Sequence, residues 1–285
     1  MEAYFRIIFL VAAFFFGAIL GSFACCQAWR LRLREINKKS PGKWSICMSC
    51  GKRLKASENI PIISWLAQRG RCRKCGAKIG TAEIFSELML GLSFVAIGNP
   101  LFDSLQSIIP GNNFAEILML ILKTLLLIFS ISIMWILVVY DAKWQKLPTF
   151  LLTILNACAI IYLILLAIGQ FLNGVDIQSL GIYFLNILGA AAILAGPFFL
   201  LSVLSREKLV GSGDWLVALP IALILGNWWL ALVALFISNA LGSIFGLYKK
   251  VRHGDSKIPF APFLAVAFII TYALQGLLLS LIVIA

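Results

Sequence analysis

Charged residues are scarce in this sequence, and histidine is almost absent. Of its 285 residues, 13% are charged and one is a histidine, whereas 61% are hydrophobic. Soluble domains usually carry about 25% charged and 45–50% apolar residues. The composition therefore excludes a water-soluble globule, a disordered chain and a secreted disulfide scaffold, and it indicates a membrane protein.

The hydrophobic residues fall into eight runs, at about 4–29, 83–99, 114–140, 149–169, 178–204, 215–225, 227–248 and 259–284. A helix needs about 20 apolar residues to cross a bilayer. We predict an all-α polytopic membrane protein with about eight transmembrane helices. The run at 215–225 is the shortest, and it could be a short span, a half-helix or a re-entrant element. The first run lacks a basic start and a cleavage site, so we expect a retained helix rather than a signal peptide.

The positive charge is concentrated in one segment. Residues 29–82 hold 14 of the 24 Lys and Arg and only two acids, which accounts for the whole net charge of +12. This segment is too polar to cross a membrane, so we expect a small module outside the bilayer. The predicted domains are a first transmembrane helix at 1–28, a module at 29–82 and a membrane domain at 83–285.

The loops between the apolar runs alternate in charge. Eight further cations lie in the segments 141–148, 205–211 and 249–258, whereas the loops at 99–113 and 170–177 and the turn at Gly226 contain none. With eight helices this alternation has no exception, and an odd number would break it. The positive-inside rule then places the module in the cytoplasm and both termini outside it.

Four of the seven cysteines form two closely spaced pairs in the basic segment. The pairs are Cys47-x-x-Cys50 and Cys72-x-x-Cys75, and a glycine follows each. Four thiolates in two such turns can surround a Zn²⁺ ion with no open position, so we predict a structural zinc site. Redox disulfides and metal-free thiols are the alternatives, and a reducing compartment disfavours stable bridges. The other three, Cys25, Cys26 and Cys158, lie in apolar runs and are expected to be small buried side chains.

The basic module could attract nucleic acid or acidic lipid. Because both of its ends join membrane helices, attraction to the membrane surface is the more economical explanation. We therefore expect lipid contact and no nucleic-acid partner.

Ionisable residues at membrane depth are few, and they are candidates for function by default. They are Glu83, Glu87, Glu116, Lys123, Asp141 and Asp214. Lys123 falls near the middle of its run and could snorkel, pair with an acid or line a cavity. Glu83 and Glu87 lie one turn apart at a helix start, where negative charge is favourable for structure alone.

Asp141 and Asp214 stand in unusual local sequences at the cytoplasmic ends of their runs. Asp141 closes the third run shortly before Leu147-Pro148, and Asp214 ends the sequence Gly211-Ser-Gly213-Asp214. The glycines allow a close backbone approach. Asp214 alone could simply cap a helix. Two aspartates at one depth, however, can share a proton and act as base and acid on a water molecule. The isolated His253 cannot build a triad, and no G-x-S-x-G elbow is present.

These residues together resemble one family, the type IV prepilin peptidases, which are bacterial inner-membrane aspartyl proteases of the G-x-G-D kind. The similarity includes the opening Phe16 to Phe23 followed by Arg30-Leu31, the block from Ser45 to Ile79 with its four cysteines, and the closing Ile258 to Leu264. It also includes Asp141 with Leu147-Pro148 and the Gly211-x-Gly213-Asp214 motif. The sequence departs from the family pattern at Thr149, Leu216 and Ala261, where Asp, Lys and Gly are usual.

The resemblance implies a function. Asp141 and Asp214 would be catalytic, supported by Gly211, Gly213, Leu147 and Pro148. Family members remove the short basic leader of prepilins or pseudopilins at the cytoplasmic face, and many then N-methylate the new N-terminus with S-adenosylmethionine. A basic leader would be repelled by the module, so the acids Glu58, Glu83 and Glu87 are the expected substrate contacts.

Two other functions fit parts of the sequence. A membrane thiol-disulfide oxidoreductase could use the two C-x-x-C pairs, but it would leave the Asp motifs idle. A non-enzymatic membrane scaffold could carry the zinc module, and it would not cleave a prepilin-type substrate.

Overall fold

The computed structural model describes residues 1–36, 44–47, 49–108, 114–172, 174–207, 210–253 and 258–284. In these residues regular structure consists of ten α-helices and one 3-10 turn, with two isolated β-bridges and no strand. The helices are α1 (Glu2–Glu35), α2 (Ile63–Ala67), α3 (Thr81–Ile108), α4 (Phe114–Trp144), α5 (Thr149–Leu172), α6 (Ile177–Leu204), α7 (Ser212–Leu225), α8 (Trp228–His253), α9 (Ala261–Ala273) and α10 (Gln275–Ile284). The predicted all-α class is confirmed.

The chain divides into two compact units, Met1–Asn99 and Pro100–Ala285. The first unit contains α1, α2 and most of α3, and the second contains the remaining helices.

In the first unit, α1 and α3 approach each other at the level of the backbone. A Cβ added at Gly17 would lie 2.6 Å from the carbonyl oxygen of Leu90, and one at Gly21 would lie 2.6 Å from that of Ser86. The Ser86 hydroxyl donates a hydrogen bond to the carbonyl of Gly21 at 3.0 Å. Small residues that let helix backbones touch are typical of membrane helix pairs.

Several helices are longer than the apolar runs predicted. α1 extends to Glu35, α4 to Trp144 and α8 to His253, each carrying polar residues beyond its apolar stretch. The apolar run at 83–99 was followed by an expected loop at 99–113, but α3 continues to Ile108, so most of that stretch up to residue 108 is helical. Asn99 accepts a hydrogen bond from Arg6 Nη1 at 3.0 Å, and the Ser104 hydroxyl donates to the Pro100 carbonyl at 2.9 Å.

The second unit is built around α7. This helix has only 14 residues, and seven of them are buried. It packs against α5 and α6, so protein rather than lipid surrounds it. Gly226 ends α7 in the left-handed conformation, with φ of 63°, and Asn227 Oδ1 accepts the Trp229 amide at 2.9 Å at the start of α8. The sequence signal at Gly226-Asn227 therefore marks a real turn.

Six described helices are long and apolar enough to cross a membrane, and α9 with α10 forms a seventh candidate that bends by 70°. The last apolar run was predicted as one helix, but it bends at Leu274. The Leu274 amide donates to the Ile270 carbonyl, and the Leu278 amide donates to the Leu274 carbonyl. Helical hydrogen bonding therefore continues through the bend. α7 falls short of the length that a span usually needs. A multi-pass membrane protein is confirmed, and the number eight stays a prediction that depends on α7.

Candidate active site and metal site

Asp141 is a buried carboxyl group in the last turn of α4, where it is only 6% exposed. Its Oδ2 accepts a hydrogen bond from the backbone amide of Ala261 at 3.1 Å. Ala261 is the first residue of α9, so the carboxylate faces the amides at a helix N-terminus. That position stabilises negative charge through the helix dipole.

Asp214 is half-buried in the first turn of α7. It is not the residue that caps the helix, because Gly211 occupies the cap position and Asp214 is the third residue of the helix. The Asp214 Oδ2 accepts the Gly211 amide at 3.2 Å. Asp214 therefore folds back over its own loop, and the loop fixes the position of the carboxyl group.

Gly213 and Leu147 bring the first turn of α7 into close contact with the loop between α4 and α5. A Cβ added at Gly213 would lie 2.6 Å from Leu147 Cδ1 and 3.0 Å from Leu147 Cβ. A Cβ added at Gly211 would meet only Asp214 Oδ2, at an ordinary 3.8 Å. Gly213 is thus required by space, whereas Gly211 is not. Pro148 is the other support residue that the resemblance implied, and its carbonyl accepts the amides of Leu151 and Leu152 at the start of α5.

The two aspartates come from separate helices and lie close enough for their charges to interact. They are 73 positions apart in sequence, and the fold of the second unit brings them together. Asp141 is buried and Asp214 is half-buried. Paired carboxyl groups in such a setting can activate a water molecule without a metal or a covalent nucleophile.

Sequence reasoning missed two contributors to this site. The first is the backbone amide of Ala261, since a side-chain motif gives no sign of which amide will face Asp141. The second is Asn156 of α5, whose Nδ2 donates to the carbonyls of Leu152 and Leu216 at 2.9 Å each. This side chain ties α5 to α7 two residues after Asp214. A lone amide within an apolar run is the only signal that could have indicated it.

The three departures from the family pattern leave these backbone contacts in place. Ala261 supplies its amide whatever its side chain, and Leu216 supplies its carbonyl. Thr149 is the first residue of α5.

The two cysteine pairs form matching turns in the first unit. The amide of Cys47 donates to the Lys52 carbonyl at 2.8 Å, and that of Cys72 donates to the Ala77 carbonyl at 2.9 Å. Gly51 and Gly76 follow the pairs with φ of 67° and 69°, which explains the glycine at each position. The same turn therefore occurs twice, once around each pair.

The four sulfur atoms of Cys47, Cys50, Cys72 and Cys75 lie within 4.8 Å of one another. The Cys47 and Cys75 sulfurs are 3.8 Å apart, too far for a disulfide and close to the edge of a tetrahedron with Zn–S distances of about 2.3 Å. Hydrogen bonds from the backbone amides of Cys75 and Lys74 lower the pKa of Cys72 to about 6, which favours a thiolate there. Despite a backbone hydrogen bond from Ala77, burial and the neighbouring cysteine side chains raise the pKa of Cys75 to about 11, so this thiol holds its proton until a metal displaces it. The donor set and its spacing fit zinc.

The three acids expected to contact a substrate occupy different environments. Glu58 is 6% exposed, and its carboxylate accepts from Lys52 Nζ at 2.8 Å and from the Lys55 amide at 2.9 Å. These two bonds hold the pKa of Glu58 below its usual value. Glu87 is 7% exposed and accepts the Ile62 amide at 2.6 Å, whereas Glu83 is half-buried in the first turn of α3.

Comparison with known proteins agrees with this architecture. Residues 15–99 match the bacterial peptidase A24 N-terminal domain, and this match ends at the last residue of the first unit. A prepilin leader peptidase/N-methyltransferase of Bacillus subtilis is 29% identical over 264 residues, covering 91% of this chain and 92% of that protein. A prepilin leader peptidase/N-methyltransferase of Dichelobacter nodosus is 27% identical, covering 80% of this chain and 70% of that protein.

A third relative is the type 4 prepilin-like proteins leader peptide-processing enzyme of Escherichia coli, which is 26% identical and covers 92% of both chains. No solved structure matches the chain. Residues 15–99 are therefore similar to the bacterial peptidase A24 N-terminal domain, and the chain resembles the prepilin leader peptidase/N-methyltransferases along most of its length.

Proposed function

We propose that this chain is a membrane aspartyl endopeptidase that removes the short basic leader of type IV prepilins or pseudopilins. The proximity of Asp141 and Asp214, each held by a backbone amide, is the observation that carries the proposal. The names of the relatives supply the substrate class. The second unit then provides the reaction, and the first unit provides the metal-stabilised module.

In this mechanism the two carboxyl groups share one proton. The ionised group takes a proton from a water molecule, and the protonated group donates a hydrogen bond to the scissile carbonyl. The water oxygen attacks the carbonyl carbon, and the leaving amine then receives a proton from the pair. The Ala261 amide orients Asp141, and the Gly211 amide orients Asp214.

We propose that this reaction takes place at the cytoplasmic face of a bacterial inner membrane, with both termini outside the cytoplasm. The Lys- and Arg-rich loops at 141–148 and 205–211 adjoin the two aspartates, which supports that orientation. Glu58 and Glu87 are buried and bonded within the first unit, which favours structural roles for both. Glu83, at the start of α3, is the acid that we propose to meet a basic leader.

We further propose that the enzyme N-methylates the new N-terminus with S-adenosylmethionine, as the names of the relatives suggest for this chain. A zinc ion held by the four cysteines would have a closed shell, so its contribution would be to stabilise the module. Mass spectrometry of the cleaved product should show a gain of one methyl group when the donor is supplied.

Co-expression with a prepilin tests the peptidase directly. Asp141→Asn and Asp214→Asn should each lower leader cleavage by several orders of magnitude, because an amide can be neither the base nor the acid of the pair. The double variant should be little worse than either single one, since residues acting as a unit are not additive. Cleavage plotted against pH should be a bell whose limbs belong to the pair.

Asp103→Asn is the matched control, because Asp103 lies in α3 and outside both aspartate motifs. It should cleave at nearly the parental rate. Near-normal cleavage by either Asp141→Asn or Asp214→Asn would overturn the aspartyl mechanism.

A further inference from the structure

A small apolar surface remains exposed on the module of the first unit. Ile60, Ile63 and Leu66 are 44%, 52% and 58% exposed. We call these three side chains the apolar edge. Apolar side chains at this density are unusual on a segment that is otherwise rich in Lys and Arg, and they indicate a binding surface.

The apolar edge consists of two residues of α2 and one residue of the turn that precedes this helix. The Ser64 amide donates to the Ile60 carbonyl at 2.9 Å, so the turn that leads into α2 already begins at Ile60. Ile63 and Leu66 lie three residues apart in α2, which places them on one face of that helix, and Ile60 precedes them in the turn that leads into α2. Trp65 lies on the other face, where its Nε1 donates to the Gly80 carbonyl at 3.3 Å and its ring covers Gly70. The turn thus has its aromatic side chain inward and its aliphatic side chains outward.

A buried hydrogen bond holds this turn beside a membrane helix. The Ile62 amide donates to Glu87 Oε2 at 2.6 Å, and Glu87 is 7% exposed. Glu87 lies six residues after the start of α3, which is about 9 Å along the helix axis. Phe85 and Leu88 in the same two turns of α3 are 48% and 42% exposed, as expected of side chains that face lipid. The bond therefore keeps the apolar edge beside the first two turns of α3, where the side chains of that helix become apolar.

The charges around the edge are of one sign. Seven Lys and Arg side chains between residues 53 and 78 are exposed, whereas Glu58 is the only acid between residues 44 and 80 and is buried against Lys52. A module that exposes both cations and aliphatic side chains matches a surface that is negatively charged above and apolar below. The headgroup region of an anionic bilayer has this arrangement.

We propose that Ile60, Ile63 and Leu66 insert into the headgroup–acyl boundary of an anionic membrane, with Glu87 fixing their depth. Insertion would anchor the module to the leaflet at a third place, besides its connections to α1 and α3. The proposal requires that α3 crosses the membrane, but it does not depend on the peptidase reaction.

Photo-crosslinking in nanodiscs tests the insertion. The full-length protein would carry p-benzoylphenylalanine in place of Ile63 or, as a second site, of Leu66, and the matched control would carry it in place of the exposed Ser57. Nanodiscs would contain either phosphatidylcholine alone or a mixture with phosphatidylglycerol, and lipid adducts would be measured by mass spectrometry. Zinc content and prepilin cleavage, recorded on the same samples, report folding and activity separately.

The lipid-adduct yield at positions 63 and 66 should exceed the yield at position 57 by at least severalfold. It should rise with phosphatidylglycerol and fall at high salt, because salt screens the attraction of the cations to the headgroups. Equal yields at positions 57 and 63, or the same yield in both lipids, would overturn the proposal. Replacement of the lipid adduct by a peptide adduct when a prepilin is added would overturn it in favour of a substrate surface.

Discussion

At the scale of single residues, the position of Asp214 depends on how closely the first turn of α7 can approach the loop that contains Leu147. Gly213 has no side chain, and Leu147 occupies the space that a methyl group would need. The sequence motif contains two glycines, but the structure gives them different roles. Gly213 allows the first turn of α7 to contact Leu147, and Gly211 caps α7.

Gly213→Ala should therefore lower prepilin cleavage about a hundredfold, because a shift of about 1 Å in a reacting group has an effect of this size. Gly211→Ala is the control and should retain most activity, since its added Cβ would have ordinary contacts. Adding Leu147→Ala to Gly213→Ala should restore part of the rate by removing the nearest atom. Equal losses in the two glycine variants would contradict this explanation.

The ionisation of Glu58 makes the stability of the module depend on pH. Lys52 and the Lys55 amide lower the pKa of Glu58 from its usual 4.5, so the folded module prefers the ionised form. The resulting stabilisation is complete above the unfolded pKa and is lost as pH falls through the lower folded pKa. Glu58→Gln should remove it at neutral pH and speed amide hydrogen exchange in residues 52–58. Glu207→Gln, in the second unit, should leave that exchange unchanged, and a parental rate in Glu58→Gln would refute the assignment.

At the scale of elements, the length of α4 changes the interpretation of Lys123. The helix has 31 residues and extends past Asp141. Lys123 lies 18 residues before Asp141, about 27 Å along the axis, and a hydrocarbon core is about 30 Å thick. With Asp141 at one boundary, Lys123 is close to the opposite one. Its side chain can therefore reach the headgroups, which removes the need for a partner at mid-membrane.

The two cysteine turns should depend on metal for their order. Cys47→Ser or Cys72→Ser should lower the zinc content from about one per chain and speed hydrogen exchange in residues 44–80, because the module has few apolar residues to hold it together. The membrane helices should remain assembled. Cys26→Ser, in α1, is the control, and this variant should retain the zinc content of the parental protein. Full zinc content in a variant that lacks all four module cysteines would rule out this site.

At the scale of the whole molecule, the charged loops predict the orientation in the membrane. A reporter that is active only outside the cytoplasm should be active when inserted at Gly174, in the loop between α5 and α6 that has no Lys or Arg. The same reporter should be silent at Lys55 in the module. Activity at Lys55 would reverse the orientation, and silence at both positions would show that α5 does not cross as proposed.

The sequence by itself determined the class of the protein and its chemical candidates. Apolar runs specify membrane helices because the bilayer requires backbone groups to be satisfied within each helix. The two C-x-x-C-G turns and the two aspartate motifs are local patterns, so they could be recognised without a structure. Resemblance to a family then connected motifs that lie far apart in the chain.

Tertiary structure alone decided the features that depend on contacts between distant residues. In the folded protein, α3 continues past Pro100, and the short α7 packs between other helices. The Ala261 amide also comes within hydrogen-bonding distance of Asp141. Tertiary structure also placed Glu58 and Glu87 inside the first unit, although their sequence positions suggested a substrate surface. Hydrogen bonds and close packing between segments far apart in the chain fix these features, and no local pattern in the sequence encodes which partners will meet.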